Sequence, residues 1–109
     1  MYYIEKTLTI SASHFLELNY ESKCSQLHGH NWIITIYCKS ERLNLNGMVI
    51  DFSDIKKVVS EKLDHQNLNS VLIFSPTAEN IAKWTVDNIS NCYKCKVQEA
   101  EGSIAIYEI

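Results

Sequence analysis

Little in this chain would interrupt a compact fold. It has one proline and three glycines among 109 residues, which excludes a collagen-like, linker-like or low-complexity reading. Arginine occurs once, as Arg42, and the formal net charge is −3. A nucleic-acid surface needs clustered positive charge, so no nucleic-acid partner is expected. A small anionic ligand held by a few local donors stays open. No apolar run approaches the roughly 20 residues of a membrane span. The start, MYYIEKTLTI, has neither the basic nor the apolar region of a signal peptide. The expectation is therefore a cytoplasmic protein with no membrane partner, whose four cysteines are thiols rather than disulfides. What is present is 46% hydrophobic, 21% charged and 10% aromatic, enough for a core. The length predicts a single domain over residues 1–109.

Hydrophobic periodicity places the elements. From Tyr2 to about Ser13, apolar residues at 2, 4, 8, 10 and 12 alternate with polar ones, a strand pattern broken only by Lys6. The same parity carries His14 onto the apolar face. A second strand runs from about His28 to Lys39, with His28, His30, Trp32, Ile34, Ile36 and Cys38 on one face. Residues 15–27 form a loop that contains Cys24, and Met48–Ile50 reads as a short extended piece. Asp51 or Ser53 can cap a helix to about Leu63. Ser75-Pro76 reads as N-cap and first helical residue of a second helix ending near Ser90. Strands at about Tyr93–Ala100 and Ser103–Ile109 flank a Glu101-Gly102 turn. The order β-β-α-α-β-β is an α+β pattern, with a four-stranded antiparallel sheet and helices segregated from it.

Three histidines, His14, His28 and His30, share the apolar parity. A single histidine there would ordinarily be a hydrogen-bonded core residue. Three that converge favour a metal, because neutral imidazole is a preferred zinc ligand and three protein ligands with one open position is the catalytic arrangement. Cys24 precedes His28 by four residues. Near a cation its thiolate could act as base or nucleophile, it could be a fourth zinc ligand, or it could be a loop thiol without a role. Asp64-His65 could serve proton transfer or could end a helix with a dipole-matched histidine. Glu99 lies on the apolar face of its strand, so it needs a basic residue or a ligand offering paired donors. Cys92-Tyr-Lys-Cys95 has no second CxxC, and on a regular strand its cysteines would point to opposite faces, so it reads as coincidence.

The string Cys24-x-x-x-His28-Gly29-His30, the Ala12-x-His14 element before it, and Asp51-Phe52, Leu63-Asp64-His65-Gln66-Asn67-Leu68-Asn69, Pro76-Thr77-Ala78-Glu79-Asn80 and Val97-Gln98-Glu99 after it occur in one order along the whole chain. Together they resemble the 6-pyruvoyl-tetrahydropterin synthase family, with the C-x-x-x-H-G-H spacing similar to its bacterial queuosine-pathway branch. The resemblance implies the tunnelling fold (T-fold), with two helices on one face of the sheet. It implies a zinc-dependent lyase in which His14, His28 and His30 hold Zn2+. Cys24 would accept a proton, His65 supported by Asp64 would relay and donate one, and Glu99 would anchor the pterin ring. Thr77 and Glu79 would lie near the pterin pocket. The implied assembly is a homohexamer, a dimer of trimers with active sites between subunits.

The implied reaction converts 7,8-dihydroneopterin triphosphate to 6-carboxy-5,6,7,8-tetrahydropterin, acetaldehyde and triphosphate, a step of queuosine (7-deazapurine) biosynthesis. One rival is triphosphate elimination alone, giving the 6-pyruvoyl product. Another is a non-catalytic zinc- or pterin-binding module with Cys24 as the fourth ligand. The chain departs from the family pattern at Gln26, where an arginine is common, and at Ala100, where a threonine is common. With one arginine, triphosphate binding would fall to lysines such as Lys23 and to backbone amides.

Overall fold

The computed structural model describes residues 1–109. β1 (Tyr2–His14) and β2 (His28–Ser40) form a long antiparallel pair in unbroken register from Tyr2↔Ser40 to His14↔His28. The period-2 pattern sets which side is buried. Leu8, Ile10, Ala12 and His14 of β1 and Trp32, Ile34, Ile36 and Cys38 of β2 all face the core. α1 (Phe52–Leu63) lays Ile55, Val59 and Leu63 on that face, and α3 (Ala78–Asn88) adds Ile81, Ala82, Thr85 and Val86. β4 (Cys92–Ala100) pairs antiparallel with β2, and β5 (Ser103–Glu108) pairs with β4 as the outer strand. The interior is one cluster of 20 buried apolar residues between sheet and helices. Each large aliphatic side chain fully withdrawn from water contributes about 1.5–3 kcal/mol.

The α+β class and the β-β-α-α-β-β order of the long elements are as expected, and the details differ at five places. The sheet has five strands, in the order β3-β1-β2-β4-β5, not four. The extra strand, β3 (Gln66–Asn67), runs parallel to β1 beside Ala12 and Ser13. It is too short and too polar to leave a periodic signal. A one-turn helix, α2 (Leu68–Val71), follows at once, capped by Asn67. The second long helix starts at Ala78 with Thr77 as its cap, not at Pro76 with Ser75. Thr77 Oγ1 accepts from the Asn80 backbone N–H at 3.2 Å, which leaves the Pro76 carbonyl free for a side-chain partner. Met48–Ile50 is bent rather than extended.

The fifth difference lies in β4. A register shift beside Tyr37 and Cys38 inserts Tyr93 as an extra residue, so Cys92 faces Cys38 and Cys95 faces Ile36. The bulge returns both cysteines to the interior, where both are buried, instead of on opposite faces. All four cysteines are free thiols. No helix is long and apolar enough to cross a membrane.

Candidate metal centre

The end of the β1–β2 pair gathers the three histidines. His14 and His28 are directly opposed across the ladder, and His30 follows two residues on, opposite Ala12. Strand parity then puts all three imidazoles on one side, with one nitrogen of each within 4.8 Å of the others. The ring centroids lie 4.6–5.2 Å apart.

Two backbone carbonyls orient the rings. His14 Nδ1 is 2.8 Å from the Pro76 carbonyl and His28 Nδ1 is 2.6 Å from the Gln26 carbonyl. A carbonyl only accepts, so each Nδ1 carries the proton and each Nε2 keeps its lone pair, the arrangement a metal-binding imidazole needs. Trp32 completes the floor. Its indole N–H donates to the Ala12 carbonyl at 3.1 Å, and its ring meets His14 and His30 edge-on at 4.8 and 5.2 Å.

The donor set passes a direct test of fit. His14 Nε2 and His30 Nε2 are buried and have no hydrogen-bond partner. Leaving such groups unmatched costs about 1–3 kcal/mol each, and a divalent cation among the three nitrogens would remove that cost. Burial also pushes the His14 imidazole below its ordinary pKa, against the raising effects of the Pro76 hydrogen bond and Glu99. Burial does the same at His30. Both rings are thereby kept in the neutral, ligating form.

Glu99 enters the same region from β4. Its Oε1 is 3.2 Å from His14 Nε2 and 3.6 Å from His30 Nε2. It also lines a cleft of about 300 Å³ with Ala78, Glu79, Gly102 and Ser103, so Glu79 shares a cavity with Glu99. Thr77 caps the adjacent helix and does not line that cleft.

Cys24 and the Asp64–His65 pair are not members of the histidine cluster. Cys24 is exposed on a 3-10 turn, Lys23–Ser25, and is not a member of the histidine cluster. Asp64 is fixed at the edge of β1, where its Oδ1 accepts the Ser11 backbone N–H at 2.9 Å. That hydrogen bond, with a lesser contribution from His65, holds the carboxyl below the usual carboxylate range. His65 Nδ1 lies 3.1 Å from Asp64 Oδ1. Its backbone is held at φ 59°, with its N–H donating to the Ser11 carbonyl at 2.7 Å. The imidazole itself is 82% exposed to solvent.

Some supporting residues escaped the sequence reading. Trp32 was visible as an apolar-face residue two positions from His30, but its contact with two imidazoles was not. The carbonyls of Gln26 and Pro76 and the amide of Ser11 carry no side-chain signal at all.

The sequence profile of the 6-pyruvoyl tetrahydropterin synthase family matches residues 3–109. The chain is 31% identical to 6-carboxy-5,6,7,8-tetrahydropterin synthase of Bacillus subtilis, over 95% of this chain and 83% of the relative. It is 41% identical to the enzyme of the same name from Synechocystis, over 77% of this chain and 71% of the relative. Among solved structures, 6-pyruvoyl tetrahydropterin synthase of Caenorhabditis elegans superimposes with a TM-score of 0.77 at 27% identity, covering 99% of this chain and 95% of the other.

Proposed function

The chain belongs to the 6-pyruvoyl tetrahydropterin synthase family, and from that premise we propose that it is a zinc-dependent lyase of one domain, 1–109, acting on 7,8-dihydroneopterin triphosphate. The products are 6-carboxy-5,6,7,8-tetrahydropterin, acetaldehyde and triphosphate, as queuosine biosynthesis requires. The observation that carries the reading is the convergence of three imidazoles with two buried, unmatched Nε2 atoms beside a carboxylate-lined cleft.

His14, His28 and His30 would hold the zinc. When bound, it supplies Lewis acidity that makes a carbon-bound proton next to the substrate's side-chain oxygens easier to remove. The remaining chemistry belongs to the chain. Glu99 offers the cleft a carboxylate that can accept paired N–H donors from the amino-pyrimidinone edge of a pterin. Glu79 shares that cleft, and Thr77 caps the helix that begins beside it. Cys24 takes the carbon-bound proton as base, and His65 returns a proton, its imidazole oriented by Asp64, which stays ionised.

In one chain Cys24 and His65 are both exposed, and neither belongs to the histidine cluster. The proposal therefore requires neighbouring copies, a hexamer built as a dimer of trimers, in which one chain's proton relay faces another's metal site. The exposed apolar residues Ile104, Ile106 and Ile109 at the outer strand end support association there. A cytoplasmic location accompanies the pathway.

Formation of the 6-pyruvoyl product is the competing reading, supported by the structural likeness to the Caenorhabditis elegans synthase. The C-x-x-x-H-G-H spacing favours the carboxy product. Replacing Cys24 tests the enzyme against a closed zinc-binding module. C24A should keep its zinc and lose turnover by about a hundredfold or more, the range of a missing general base. Release of zinc from C24A would instead make the thiol a structural ligand.

A further inference from the structure

We infer that Glu99 is a fourth, exchangeable ligand of the metal held by His14, His28 and His30, closing the open position until a pterin ring draws the carboxylate into the cleft. The inference rests on the metal site proposed above and adds a resting state to it.

The first argument is spacing. Two ligands bonded to one tetrahedral zinc at 2.0–2.1 Å are about 3.3–3.4 Å apart. Glu99 Oε1 lies 3.2 Å from His14 Nε2 and 3.6 Å from His30 Nε2, which brackets that value. The second is an unmatched atom. Glu99 Oε1 lies 3.2 Å from His14 Nε2, yet this buried nitrogen has no hydrogen-bond partner. The third is charge. The His14 Nδ1 proton is committed to the Pro76 carbonyl, so at His14 Glu99 faces a nitrogen lone pair. Negative charge beside a lone pair is repulsive unless a cation lies between them. Glu99 has no ion pair with lysine or arginine that would supply one.

The backbone explains why such a ligand can also leave. The β4–β5 register shifts between Gln98 and Ala100, so Glu99 has no partner across the ladder. A bulge of this kind re-aims a side chain and loosens the strand around it. The Glu99 carboxylate is 30% exposed and also borders the cleft shared with Glu79 and Ser103. Rotation about its side-chain bonds moves the oxygen from the imidazoles into the cleft without moving β4. The exchange breaks one metal–oxygen bond and replaces it by hydrogen bonds to ring N–H groups, with no proton or electron transferred.

The test uses the whole chain loaded with cobalt(II), whose visible absorption reports coordination number and ligand type. Wild type should give the intense bands of a four-coordinate ion, and saturating neopterin should change them as the carboxylate departs. E99Q should bind cobalt(II) about tenfold more weakly or worse, with bands already altered and unresponsive to neopterin. Glu99→Asp, with its carboxylate drawn back by one methylene, should behave like E99Q. Equal affinity and identical bands in wild type and both variants would overturn the fourth-ligand assignment and leave the three-histidine site standing. Failure of wild type to take up cobalt(II) would overturn the metal site itself, before any variant is compared.

Discussion

His14 shows how much one residue can be asked to do. It is fully buried, its Nδ1 is tied to Pro76 across 62 residues of sequence, and its Nε2 faces the other two histidines. Its place on the apolar face followed from counting by two along β1, as did those of His28 and His30 along β2. Strand parity is a local property, so it is legible. The hydrogen bonds that choose the tautomer come from carbonyls in distant loops and are not. Asp64 illustrates the same limit, because its partner is the Ser11 amide. That contact makes a pH prediction. The folded-state pKa of Asp64 is depressed, so its stabilising contribution is present above the ordinary carboxylate pKa, about 3.9, and is lost as pH falls through the lower folded value. Thermal melts of wild type and D64N should therefore differ at pH 5–7 and converge below about pH 4. A gap that widens toward acid would contradict this account of Asp64.

At the scale of elements, the long periodic segments were readable and the short polar ones were not. β1, β2 and α1 lie within a residue or two of their expected ends. β3 and α2 together span six residues, 66–71, and form through tertiary contacts. Asn69 is the link. Its side-chain amide accepts from the Phe15 N–H at 2.8 Å and donates to the Phe15 carbonyl at 2.9 Å, anchoring the start of the loop that carries Cys24. N69A removes both bonds in a half-buried place and should lower stability by about 1–3 kcal/mol in urea unfolding. A change near zero would mean that water replaces the amide. The bulge at Tyr93 has its own consequence. It buries Cys92 and Cys95 alongside Cys38 and leaves Cys24 as the exposed thiol. Intact-mass analysis after brief alkylation of the folded protein should show one modification, at Cys24, with the other three appearing only on unfolding. Prompt labelling of Cys92 would contradict the register of β4.

The whole molecule explains why some of the candidate site could not be assembled from one sequence. The three histidines and Glu99 meet within a chain and Glu79 shares a cleft with Glu99, whereas Cys24 and His65 are exposed. Sequence motifs name candidate residues but not whether one chain brings them together. The outer strand β5 exposes Ile104 at 50% and Ile106 at 56%, apolar surface on a free sheet edge of the kind that monomers normally protect. Replacing Ile106 with lysine should shift sedimentation toward the monomer and abolish turnover while the isolated chain still binds metal. A fully active monomer would remove the need for neighbouring copies.

The central claim concerns the reaction, and the most direct measurement is the mass of what the protein makes. Incubation with 7,8-dihydroneopterin triphosphate under anaerobic conditions, with and without a chelator, should yield 6-carboxytetrahydropterin, acetaldehyde and triphosphate, and only when the metal is retained. A 6-pyruvoyl product without acetaldehyde, or substrate returned unchanged by the metal-loaded protein, would contradict the claim.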